Sequence, residues 1–271
     1  MMNNFTKRIL SGIIYIAILI FSILYSKISF LSVFFILMMF CLYEFSKMIE
    51  LKSVFPYLLG FLAYLFGNIL NVEDVPSKVI FKYVGVTLFL TIFCSFAWIL
   101  LAKKEEIVSH LGKIFLSVIY IVVPFILMAQ IPFLNNDFKY ASTTILGVFI
   151  LIWSSDSFAY LIGKNFGKRK LLQRISPNKT IAGFIGGFVA CVIASIVIAQ
   201  YFTVLSLTQW IVISILISIF GVLGDLIESM FKRQAGIKDS SNLIPGHGGF
   251  LDRFDSVIFA APFIFIYLQV V

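Results

Sequence analysis

The chain has 271 residues, 61% of them hydrophobic and 13% charged, with a mean hydropathy of +1.04. Soluble domains carry about 25% charged residues, and no polar stretch here is long enough to form one. A soluble enzyme or binding module is therefore excluded in favour of a polytopic membrane protein. The net charge of +8 suits loops facing an anionic leaflet and gives no reason to expect nucleic acid as a partner.

A spanning helix takes about 20 apolar residues. The opening MMNNFTKRILSGIIYIAILIFSILYS has an apolar run too long for a secretory signal and lacks a small-residue cleavage site, so it is expected to stay as the first helix. An all-α membrane fold of nine spans is expected, at residues 9–26, 28–49, 54–71, 80–102, 111–134, 141–163, 180–202, 207–229 and 254–271. Only Ser26 and Lys27 separate the first two, which predicts a tight hairpin or a single unit. Pro124 and Pro132 predict a kink and a stop in the fifth span. Cys41, Cys94 and Cys191 lie singly in apolar segments and read as small buried hydrophobes. Glycines 183, 186, 187, 221 and 224 are spaced for close helix packing. With the N-terminus in the cytoplasm, only Lys27, Lys78, Lys82 and Lys139 of the 21 Lys and Arg residues fall on the outer side. That is the bias expected of inner loops. Residues 1–140 then form an N-terminal group of helices, and 141–271 carry the polar chemistry.

The carboxylates inside the expected spans include Glu44, Asp156, Asp225 and Glu228. Glu44 stands one turn from its span's end near Lys47 and reads as an interfacial pair. Asp156, among Ser154, Ser155 and Ser157, and Asp225 read as functional, because intramembrane acids are rare and face cavities. Asp225, Glu228 and Lys232 recur at i, i+3 and i+7, on one helix face. In KNFGKRKLLQRISPNKT, residues 164–180, Ser176 is expected near the start of the seventh span. There, with Lys179 and Thr180, it would form either a phosphate cradle or a helix cap in a basic loop.

The densest polar stretch is SMFKRQAGIKDSSNLIPGHGGFLDRFD, residues 229–255. Gly246, Gly248 and Gly249 allow a tight turn that presents His247. Lys232, Arg233, Lys238 and Arg253 are phosphate partners by chemistry. Asp225, Asp239, Asp252 and Asp255 are hard-metal ligands by chemistry. Together they suggest a polyphosphate held through a divalent ion at a membrane surface.

The run Ser229-x-Phe231-Lys232-Arg233, Lys238-Asp239, Ser241, Ile244-Pro245-x-His247-Gly248-Gly249-Phe250-x-Asp252-Arg253-Phe254-Asp255 resembles the signature of the phosphatidate cytidylyltransferase family, also called CDP-diacylglycerol synthase. Asp156-x-x-Ala159-Tyr160 with Gly163-Lys164, and Ser176-Pro177-x-Lys179-Thr180 with Gly183, resemble it as well, so the likeness covers about residues 150–271. It implies that CTP and phosphatidate react to CDP-diacylglycerol and pyrophosphate, with Mg²⁺, room for a second cation, and a homodimer in the inner (plasma) membrane. It implies Asp225 and Asp252 as metal ligands. Lys232, Arg233, Lys238 and Arg253 would hold phosphates, His247 would donate to one, and Asp239 and Asp255 would orient cations. Asp156, Ser176, Lys179, Thr180, Ser229, Gly248 and Gly249 would contribute to substrate binding. The alternatives are a CTP-dependent lipid kinase and, in another class, a transporter of an anionic lipid or metabolite.

Overall fold

The computed structural model describes residues 4–72, 107–134 and 139–271. The expected fourth span and Cys94 lie outside the described residues. The helices are α1 (Asn4–Tyr25), α2 (Lys27–Met48), α3 (Phe55–Val72), α4 (Ile107–Ser117), α5 (Val123–Gln130), α6 (Ser142–Phe166), α7 (Ile181–Tyr201), α8 (Leu207–Leu216), α9 (Val222–Gln234) and α10 (Leu251–Val270). Among the described residues, six helical stretches are long and apolar enough to cross a membrane, and two apolar helices are shorter. Ile185, Val189, Ile193, Ile196 and Val197 stand exposed along α7, an apolar surface suited to lipid rather than water. The chain is a multi-pass helical membrane protein.

Two compact units form: residues 1–130 with 239–251, and residues 131–238 with 252–271. In the first, α1 and α2 are distinct helices. Ser26 is extended (φ −165°, ψ 162°); its hydroxyl accepts the Ser29 N–H at 3.1 Å, and the Ser29 hydroxyl accepts the Ser26 N–H at 3.0 Å. This reciprocal cap lets one residue end a helix and start the next. Buried polar bonds hold α3 to its neighbours: Tyr64 donates to the Leu31 carbonyl at 2.9 Å, and Gln130 donates to the Gly67 carbonyl at 2.7 Å and to Asn68 at 2.9 Å. Pro124 has no N–H to offer the turn before it. The chain there widens into a π turn, Val118–Val122, and Pro132 falls in the 3-10 turn Ile131–Phe133 that closes the span.

In the second unit, α6 and α7 pack nearly backbone to backbone. A Cβ placed on Gly187 would come within 2.7 Å of the Ser155 carbonyl, and one on Gly183 equally close to that of Ala159. Trp210 is fully buried, its ring lying over Gly147. The expected span 207–229 falls within one helical stretch, Leu207–Gln234, which the π turn Ile217–Gly221 divides into α8 and α9. One extra residue in a turn rotates the rest of the helix by about 100°, and so resets the face on which Asp225, Glu228 and Lys232 emerge. The loop before α7 is not helical. Lys170–Leu172 (β1) and Ser176–Thr180 (β2) form a short antiparallel hairpin, with Lys170 opposite Thr180.

Candidate active site

The charged side chains of the second unit collect around two lysines. Lys179 Nζ lies 2.6 Å from Asp225 Oδ2. Asp225 Oδ1 accepts from the Ser229 hydroxyl one turn along α9, at 3.3 Å. Asp156 from α6 and Asp255 from α10 both lie within electrostatic reach of Lys179 and Asp225, and Arg253 within reach of Asp156. Three helices thus bring three carboxylates within electrostatic reach of one ammonium on β2, and Asp225 touches it.

The second group is centred on Lys232. Its Nζ donates to Asp252 Oδ1 at 2.7 Å and pairs with Glu228 one turn before it. Glu228 is wholly inaccessible, and Lys232 Nζ is the ion partner of a carboxylate that makes no other hydrogen bond among the described residues. Glu228 also feels Asp252 and Asp255, so the two groups form one continuous patch of charge across α9 and α10. Gly224 makes this possible: a Cβ there would run into the Asp255 carbonyl and lie 2.7 Å from Phe259 Cβ. We expect Gly224→Ala to push α9 off α10, costing about 1–3 kcal/mol of stability and most of the activity. Thermal unfolding and initial rates on the purified variant test this.

The expected face of Asp225, Glu228 and Lys232 exists, but its members take different partners. Asp225 and Asp252, the expected metal ligands, each hold a different lysine. Ser176 lies in β2, five residues ahead of α7, and not in the helix's first turn. The cause is local, because a residue preceding proline is held extended. Thr180 is the true N-cap (φ −125°, ψ 154°), its hydroxyl accepting the Gly183 N–H at 3.1 Å. Arg233 donates to the Ile237 carbonyl at 3.1 Å and closes the turn after α9. Lys238 and Arg253 are exposed.

The first unit holds Asp239, which is exposed, and the glycine-rich turn. The His247 N–H donates to the Ile244 carbonyl at 2.9 Å, with Pro245 second and Gly246 third at φ +77°. That is a type II turn, whose third position requires a positive φ. Gly248 follows at φ +80°, and its carbonyl accepts from Ile244 N–H. The Ser11 hydroxyl of α1 donates to the Pro245 carbonyl and lies 2.9 Å from His247 Nδ1. One hydroxyl has one proton; with that proton on Pro245, Nδ1 carries the ring proton and donates to Ser11. The ring passes so close to Gly12 that a Cβ there would sit 3.1 Å from His247 Cε1.

The sequence model of the cytidylyltransferase family matches residues 6–271. A phosphatidate cytidylyltransferase of Bacillus subtilis (strain 168) is 37% identical over 98% of this chain and 98% of its own. Enzymes of that name from Staphylococcus haemolyticus and Staphylococcus aureus (strain COL) are 50% and 49% identical, over 46% of this chain and 48% of theirs.

The chain belongs to the cytidylyltransferase family.

Glu44 of this cytidylyltransferase was also misread from sequence. Glu44 makes no interfacial pair with Lys47. It is fully buried in the first unit and accepts four hydrogen bonds from the 239–251 segment. Ser11 and Gly12 were passed over as ordinary span residues. A carboxylate inside an apolar helix was the available signal for Glu44, but its partners lie about 200 residues away in sequence. Spacing arguments do not reach that far.

Proposed function

We propose that this chain is a phosphatidate cytidylyltransferase. It would join CTP and phosphatidate into CDP-diacylglycerol and release pyrophosphate. The observation that carries the reading is the patch of paired acids and cations on α9, α10 and β2, in a chain matched end to end by a family relative of that name. An oxygen of the lipid phosphate attacks the α phosphorus of CTP. A new P–O bond forms, the bond to the β phosphate breaks, and pyrophosphate leaves with its electron pair. The attacking phosphate is already anionic, so no strong general base is required. What the protein must supply is alignment and charge neutralisation of two polyanions.

The donor set fits a hard divalent cation. Asp225 and Asp252 offer carboxylate oxygens, and each already holds an ammonium group as its counter-charge. Among the described residues, no three His, Cys, Asp or Glu side chains gather to hold a metal. Mg²⁺ is commonly held by one or two carboxylates together with substrate phosphates and water. Bound there, Mg²⁺ would supply neutralisation of the developing phosphate charge, and a second cation has Asp156 and Asp255 nearby. Lys179 and Lys232, released from their carboxylates, would turn to phosphate oxygens, with Arg233, Lys238 and Arg253 beside them. His247, whose Nδ1 proton is committed to Ser11, would donate to a phosphate oxygen through Nε2 only as the doubly protonated imidazolium, a form that an adjacent phosphate favours. Ser176, Thr180, Ser229, Gly248 and Gly249 would line the substrates, and Asp239 would orient cations.

The same reading places nine spans with the N-terminus and the active face in the cytoplasm, residues 141–271 as the catalytic half, and a homodimer in the inner (plasma) membrane. Purified protein given CTP and phosphatidate should release pyrophosphate in proportion to lipid consumed. EDTA should stop the reaction and added Mg²⁺ restore it. Release unaffected by EDTA would remove the metal from the reading; CDP without pyrophosphate would indicate a lipid kinase instead.

A further inference from the structure

Glu44 sits in α2 with no accessible surface. Each of its carboxylate oxygens accepts one serine hydroxyl and one backbone N–H. Oε1 takes Ser241 Oγ at 2.5 Å and the Phe250 N–H at 3.0 Å. Oε2 takes Ser240 Oγ at 3.0 Å and the Leu251 N–H at 2.7 Å. A carboxylate has about four lone-pair sites, and here all are used. Phe250 and Leu251 are the residues at which α10 begins, so two of the N–H groups that a helix start leaves without partners are satisfied by a charge from another helix. The same carboxylate explains Gly249: a Cβ at that position would overlap both Glu44 oxygens and Ser240 Oγ. Phe40, one turn before Glu44, stacks on Phe250 with ring centroids 4.7 Å apart.

We infer that Glu44 is a positioning residue for the transfer reaction: its carboxylate holds segment 240–251, and with it the His247 turn, in the working conformation. The inference rests on the activity proposed above. Both ends of the segment are tied to one anion, Ser240 and Ser241 before the turn and Phe250 and Leu251 after it. The turn between them presents His247, and the next residue in the chain is Asp252. Tethering a loop at both ends by charge-assisted bonds removes its freedom without placing the tether at the substrate.

Glu44→Gln is the discriminating variant. It keeps the side chain's shape but replaces one oxygen by an NH₂ group. Whichever way the amide turns, that NH₂ meets a backbone N–H, which cannot become an acceptor. Two buried donors then face each other. Two readouts on the full-length protein in detergent separate positioning from general stability. Amide hydrogen exchange across 240–251 should rise by about tenfold or more in the variant, while α6 and α7 exchange as in the wild type. The turnover number should fall by about tenfold or more, with KM for CTP changed by less than about threefold.

Ser241→Ala removes one of the four donors and disturbs the fold less. It should slow turnover by about two- to fivefold and add little to Glu44→Gln, because both act through one network. Wild-type exchange in 240–251 in Glu44→Gln overturns the inference, as does a loss carried by KM alone or a full additive loss in the double variant. If the wild-type protein makes no CDP-diacylglycerol, the proposed activity fails, and the exchange measurement still decides whether Glu44 holds the segment.

Discussion

Asp225→Asn and Asp252→Asn are each expected to lower CDP-diacylglycerol formation by at least about a hundredfold, while the protein still purifies as a folded species. Asparagine keeps the size of the side chain and removes its charge, so it can neither ligate a hard cation well nor hold an ammonium group. The fold should survive for different reasons at the two sites. When Asp252 loses its charge, Lys232 still has Glu228. When Asp225 loses its charge, Lys179, a quarter exposed, can be solvated. Initial rates over a range of Mg²⁺ concentrations, with gel filtration and thermal unfolding as controls, test this. Partial recovery at high Mg²⁺ supports ligation, whereas near-normal turnover in either variant removes that residue from the metal role.

Lys232→Met is expected to lose activity and stability together, and the two losses can be separated. Lys232 is the ion partner of Glu228, a carboxylate with no exposed surface. Breaking a buried pair from one side leaves an uncompensated charge, at a cost of about 3–5 kcal/mol. Removing the Glu228 charge as well should restore a large part of that stability, since an apolar pair of similar volume carries no such penalty, although Asp252 remains charged. The double variant Lys232→Met with Glu228→Met is therefore expected to unfold well above the single variant, short of the wild type because Asp252 also loses its lysine, and to remain inactive, because the phosphate-neutralising cation is still missing. A double variant as unstable as the single one would deny that Glu228 is the source of the cost. A stable and active one would deny Lys232 its role with phosphate.

Much of the fold was legible in the sequence, because the bilayer imposes a simple pattern. Expected spans 9–26, 28–49, 54–71, 141–163 and 180–202 each correspond to an observed helix within a few residues. The irregular turns were less legible. Pro124 announced a disturbance in its helix, but the form it takes, a π turn just before the proline, depends on packing. Nothing at Ile217–Gly221 announced its π turn at all. The Ser176–Thr180 strand was hidden because Ser-Pro was read as a helix start rather than as a demand for extended backbone. In the site, i, i+3, i+7 spacing found the acidic face of α9 but not which lysine each acid would hold. Those choices belong to contacts between helices. Glu44 shows the same limit most sharply: Lys47 was its neighbour in sequence, whereas its partners are Ser240, Ser241, Phe250 and Leu251.

The central claim is that the α phosphorus of CTP is transferred to the phosphate of phosphatidate. Its most direct test tracks two labels in parallel reactions of the purified protein with Mg²⁺ and phosphatidate. Label on the α phosphorus of CTP should enter the lipid fraction as CDP-diacylglycerol, and label on the γ phosphorus should appear only in pyrophosphate. Label from the γ phosphorus in lipid, or no lipid-bound label from the α phosphorus, would contradict the account.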